Sequence, residues 1–165
     1  MQEGINTMNI FDNLGKKGIT GELKSFSYSS GYCDMLGACH SDTLKKNDDG
    51  CWVIESRNRE CHSDPFIVTT YAVDDEAAAR FETFIKKRNL ISLSKRLDSK
   101  EFVTDYSPWS YGVVFDCSGI GGSSFDDYRI SQFKIYTKRD LKLLNEIKDM
   151  FFSLRGDLVS EIEET

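Results

Sequence analysis

Proline, long apolar runs and positive charge are all scarce in this sequence. Two prolines in 165 residues, Pro65 and Pro108, exclude a collagen-like or polyproline chain. Nowhere do the 18 or so apolar residues of a membrane-spanning helix run together. Lys and Arg number 21 against 27 Asp and Glu, a net charge of −6. That balance argues against nucleic acid or an anionic membrane as the main partner, because counterion release needs clustered Lys and Arg. The start, Met1 to Gly15, lacks the basic end and apolar run of a signal peptide. The chain therefore reads as cytoplasmic, with export through a removed signal left open.

What is present is an ordinary folding composition, 39% hydrophobic and 12% aromatic. At roughly 100 to 200 residues per domain this is one core, and such a chain buries about 70% of its unfolded surface without covalent staples. Five cysteines, Cys33, Cys39, Cys51, Cys61 and Cys117, are odd in number and scattered, which favours reduced thiols.

Along the chain, residues 1–18 read as a loosely ordered arm, 19–156 as a single α+β domain and 157–165 as an acidic tail. Segments rich in aromatic, hydroxyl and β-branched residues alternate with turn signals from Gly21 onward, as strands joined by hairpins do. Glu22 to Ser29 is the first, with Phe26 and Tyr28 on one face. Leu36 to Lys46 and Cys51 to Arg57 flank Asn47-Asp48-Asp49-Gly50, whose residues tolerate the positive φ of a tight turn. Pro65 can open a strand, and Phe66 to Val73 supplies a central one. The period changes at Asp74. Acidic residues open the next segment, Lys86 to Arg88 close it, and Ala77, Phe81, Phe84 and Ile85 share a stripe, which predicts a helix of about four turns capped near Asn89.

Residues 90–108 predict a short edge strand and a long loop. Trp109, Tyr111, Val113, Phe115 and Cys117 alternate with smaller or polar residues, a strand with one buried face. Tyr128 to Tyr136 predicts its hairpin partner, with a bulge where the apolar parity slips between Ile130 and Phe133. Thr137 and Asp140 then form a capping box, with Tyr136 and Leu141 at the positions of a hydrophobic staple. Leu143, Leu144, Ile147, Met150, Phe151 and Leu154 make a helical stripe that Gly156 stops. The expected fold is thus α+β, a mostly antiparallel sheet in the order β-β-β-β-α-β-β-α with two helices packed on one face.

For chemistry, Cys39-His40 and Cys61-His62, with Cys33 nearby, form the one cluster that could ligate a metal or activate a thiol. Zinc needs converging ligands, and close pairs such as Cys-x2-Cys pin two on one turn, which no spacing here does. Adjacent strand residues point to opposite faces, so each Cys-His pair also works as a surface histidine beside a half-buried thiol. The Gly119-Ile120-Gly121-Gly122-Ser123-Ser124 run lacks the Lys-Ser/Thr of a phosphate loop and reads as a hairpin loop. Lys86-Lys87-Arg88, with Lys95-Arg96, is the only basic cluster, and the dipole at a helix C-terminus already accounts for it. Exposed-looking aromatics such as Tyr28, Trp52, Tyr71, Trp109 and Tyr111 suit either an interface or cross-strand packing.

The stretches SFSYSSGYCDMLG (Ser25 to Gly37), YAVDDEAAARFETFI (Tyr71 to Ile85), WSYGVVF (Trp109 to Phe115) and FFSLRG (Phe151 to Gly156) resemble a group of small bacterial α+β proteins of uncharacterised activity. Some of that group are lipoproteins. They share a Gly-containing first hairpin, a mid-chain helix and a Trp-Ser strand. The resemblance covers most of residues 21–156; the Cys-His pairs and the Ser118 to Asp126 loop depart from it. It implies the fold and transfers no catalytic residue.

These readings predict a non-catalytic domain that binds a protein or itself through a sheet edge or an aromatic sheet face, with no catalytic residue and no cofactor. One alternative is a metal- or thiol-dependent enzyme built on Cys33, Cys39, His40, Cys61 and His62. Another, from charge alone, is an immunity-type or inhibitor partner of a basic protein. Nucleic acid and a membrane span are not expected, and a small-molecule ligand stays open.

Overall fold

The computed structural model describes residues 21–30, 38–88, 90–99, 109–117 and 125–164. The predicted N-terminal arm, Cys33, the Asn89 cap and the glycine-rich run at 119–124 lie outside these residues. Four strands come first: β1 (Glu22–Ser30), β2 (Cys39–Lys46), β3 (Trp52–Arg59) and β4 (Phe66–Ala72). The β2–β3 turn forms as its residues dictate. The Asn47 side-chain oxygen accepts from the amides of Asp49 and Cys51 at 3.1 and 2.9 Å, and Gly50 takes φ +81°, a conformation that a Cβ would strain.

Helix α1 (Asp75–Lys87) follows, with Asp74 as its N-cap accepting from the Ala77 amide at 2.9 Å. After the short helix α2 (Leu90–Ser94) come β5 (Ser110–Asp116), β6 (Phe125–Ser131), α3 (Lys138–Phe152) and β7 (Leu158–Glu164). The capping box at Thr137 and Asp140 is complete, with both reciprocal hydrogen bonds in place at 3.0 and 3.1 Å.

All seven strands join one antiparallel sheet in the order β6-β5-β1-β2-β3-β4-β7. Period-2 alternation sends Phe26 and Tyr28 of β1, Leu44 of β2, Ile54 of β3, and Tyr111, Val113 and Phe115 of β5 into one core. Ala78, Phe81 and Ile85 of α1, Leu90 and Leu93 of α2, and Leu144, Ile147 and Phe151 of α3 belong to the same cluster. Phe26 is its hub, with ring centroids 4.9 Å from Phe81 and 4.8 Å from Phe151. Such contacts make Phe26 and Phe81 costly side chains to delete, at roughly 3–5 kcal/mol each.

Four expectations need correction. Residues 90–94 are helical rather than an edge strand: Leu90 and Leu93, one turn apart, are both 1% exposed. The parity slip after Ile130 is the end of β6, not a bulge, since a turn replaces the strand at Gln132 and Phe133. The segment read as a tail is β7, so the element order gains a helix and a strand. The staple is not closed: Leu141 is exposed, and Tyr136 instead stacks on Trp109 with centroids 5.9 Å apart.

Candidate functional site

Strand β7 forms one edge of the sheet, and its side toward β4 is paired from Leu158 to Glu164 except at Val159. Phe66 faces Glu164, Val68 faces Ile162 and Thr70 faces Ser160, with a register shift between Thr70 and Tyr71. Glu164 bonds the Arg57 guanidinium at 2.7 Å, and the Thr69 hydroxyl donates to Glu161 at 3.3 Å. Every residue of β7 is nonetheless exposed, with Leu158, Val159 and Ile162 at 60, 60 and 53%. The other side of the strand therefore offers a row of backbone N–H and C=O groups beside three apolar side chains. No β7 residue belongs to the core cluster, and Asp157, Glu161, Glu163 and Glu164 carry four negative charges with no Lys or Arg among residues 157–164.

The path into β7 is fixed by a buried ion cluster. Asp42 of β2 is 0% exposed and accepts from His40 Nε2 at 2.6 Å and from the Arg155 guanidinium, which lies on the α3–β7 connection. Burial by itself would raise the Asp42 carboxyl pKa. Hydrogen bonds from His40 and Ser56, together with the charges of His40 and Arg155, outweigh it and hold the group below the ordinary carboxylate value. The Arg155 guanidinium also lies over the rings of Tyr71 and Phe152, at 5.2 and 4.9 Å from their centroids. Next to it, the Gly156 amide donates to the Ala72 carbonyl and the Ala72 amide to the Asp157 carbonyl, both at 2.9 Å.

Of the sequence-predicted site residues, Cys39, His40, Cys61 and His62 are described and form no metal-holding group, while Cys33 lies outside the described residues. Cys39 and His40 sit on β2, whose pleat turns them to opposite faces, and His40 is committed to Asp42. Cys61 and His62 lie in the β3–β4 connection, where His62 Nδ1 is 3.4 Å from Arg59 Nη2. There the backbone amide and hydroxyl of Ser63 hydrogen-bond the Cys61 sulfur, the hydroxyl at 3.6 Å, and lower its pKa. Among the described residues no three His, Cys, Asp or Glu side chains are grouped to hold a metal ion.

The aromatic face turns inward as well. Tyr28 and Tyr111 are buried, and Trp52 and Trp109 pack against the core. Burial raises the Tyr111 hydroxyl pKa, and it raises that of Tyr136, which donates to the Ser131 carbonyl, to about 12. Tyr111 donates to the Leu144 carbonyl at 3.4 Å, and both rings pack on aromatic neighbours, Tyr111 on Tyr28 and Tyr136 on Trp109.

Sequence reasoning missed Asp42, Arg155 and β7. The strand periodicity that separates Cys39 from His40 also places His40 and Asp42 on one face, so half of the cluster carried a signal. Arg155, distant in sequence, carried none. Comparison of the chain with protein-family models, with curated proteins and with solved structures finds no match.

Proposed function

We propose that this protein is a non-catalytic interaction domain whose β7 edge adds a strand from a partner. The supporting observation is the exposure of Leu158, Val159 and Ile162 on an edge strand whose entry is held by a buried ion cluster. Main-chain pairing supplies affinity in this mode, and alternate side chains supply selectivity.

The partner is a basic, partly apolar extended segment rather than a second copy. Two β7 strands brought together would oppose six carboxylates, three from each copy, and like charges across a strand pair are destabilising. A Lys- or Arg-bearing strand meets the same edge with complementary charge. The acidic balance of the chain, which suggests an inhibitor-type partner of a basic protein, supports the same reading.

A labelled seven-residue peptide of alternating Val and Lys tests this reading. It should bind with an affinity that falls as salt rises, slow hydrogen exchange at amides of 158–164, and lose affinity about tenfold in Ile162→Arg, about 1.4 kcal/mol. Binding that leaves β7 exchange unchanged, or no binding by a protein whose melting curve is intact, would overturn it.

A further inference from the structure

We propose that the groove between the end of α1, α2 and the start of α3 binds a small multivalent oxyanion of the oligophosphate class. The groove encloses about 620 Å³, the size of a small-ligand site, and five cations line it: Lys87 and Arg88 of the α1 terminus, Arg96 after α2, and Arg139 and Lys142 of α3. Only two carboxylates answer them, and both are already engaged. Asp140 pairs with Arg96 at 3.0 Å and Glu146 with Arg88 at 3.3 Å. Lys87, Arg139 and Lys142 have no acidic partner among the described residues.

Helix electrostatics account for half of this cluster and not for the other half. Cations at the C-terminus of α1 complement its dipole. Lys138 and Arg139 stand in the first turn of α3, the positive end, where cations are disfavoured, and Lys142 follows directly after it. The one acidic residue of that turn, Asp140, is spent on the capping box and on Arg96. An arrangement that breaks a local electrostatic rule without internal compensation marks a place where a ligand provides it. Arg96 adds a second sign, since its Nε is buried without an acceptor.

The ligand's chemistry follows from what is left over. Three unmatched cations on two helices are not neutralised by a monoanion, whereas linked phosphoryl groups place several charges within one groove and accept the bidentate hydrogen bonds that guanidinium groups offer. A nucleic-acid strand needs a longer cationic track, and a chain of net charge −6 repels its flanks.

Calorimetric titration of the full chain with inorganic tripolyphosphate, in phosphate-free buffer at low salt, tests the assignment. One ion should bind per chain, at least tenfold more tightly than orthophosphate. Arg139→Glu and Lys142→Glu, both at exposed positions, should each weaken it tenfold or more, while the charge-matched Arg129→Glu on β6 should not. Backbone amide shifts should localise to residues 87–96 and 138–146, which reads the site even where a variant is unstable. Three results would each overturn the proposal: no binding at millimolar tripolyphosphate, equal weakening by Arg129→Glu, or a 12-nucleotide single strand that binds more tightly than tripolyphosphate. None bears on β7, so this site and the strand-pairing edge stand or fall separately.

Discussion

Asp42 is fully buried, and among the described residues His40, Ser56 and Arg155 stabilise its charged form. A buried carboxylate of this kind contributes little when its partners are counted against desolvation, yet removing it leaves the other charge stranded. Asp42→Ala should therefore destabilise the protein by about 3–5 kcal/mol at neutral pH, measured by urea unfolding. The pH dependence has a definite sign. The folded pKa lies below the unfolded one, so the unfolded chain takes up the proton first. The contribution of Asp42 is complete above the unfolded value of about 3.9 and is lost as pH falls through the folded value. The difference between wild type and Asp42→Ala should narrow on acidification below about pH 4. A difference that stays constant from pH 7 to pH 3 would show that folding does not lower the Asp42 pKa, and one that widens on acidification would show that Asp42 is protonated in the native state.

Among the elements, those set by local pattern were legible and those set by distant pairing were not. The alternation of Tyr111, Val113 and Phe115 required no partner to be read, and Thr137 with Asp140 spelled out the start of α3 four residues before its first buried leucine. The five residues of α2 are too few to separate a period of 3.6 from a period of 2, and β7 is worse placed still. Its acidic residues are poor strand formers in isolation, and it is a strand because β4 lies beside it. The candidate edge was hidden for the same reason. Gly156 shows the pairing at work. The glycine does not stop α3, which already ends at Phe152; a Cβ on Gly156 would lie 2.8 Å from the Ala72 carbonyl oxygen. Gly156→Ala should force β4 and the α3–β7 connection apart, costing roughly 1–3 kcal/mol and speeding hydrogen exchange at Ala72 and through β7. Gly50→Ala serves as the contrast, since its added Cβ meets nothing within 4 Å and its φ of +81° restricts the strain to the β2–β3 turn. It should cost about 1–2 kcal/mol without altering exchange in β7.

At the scale of the whole molecule, the charge on β7 and the composition of β4 answer each other. The β4 sequence, Phe66 to Ala72, has no charge, no proline and no glycine, the profile of a segment that pairs with copies of itself when it becomes an edge. In the intact protein β7 covers it and presents carboxylates outward, while no β7 residue belongs to the core cluster. Coverage and core are thus separable. Deleting residues 157–165 removes four acids, taking the net charge from −6 to −2, and leaves every residue of the core cluster in the chain. The shortened protein should keep its far-ultraviolet circular dichroism but assemble as concentration rises, by light scattering and thioflavin binding. Replacing Glu161, Glu163 and Glu164 with Gln isolates the charge from the coverage. With β4 still paired and the repulsion gone, that variant should form dimers through β7, and high salt should promote the same dimer in the wild type by screening the carboxylates. If the Gln variant stays monomeric while the shortened chain assembles, covering β4 is the whole protective device, and the carboxylates of β7 are free to select a basic partner.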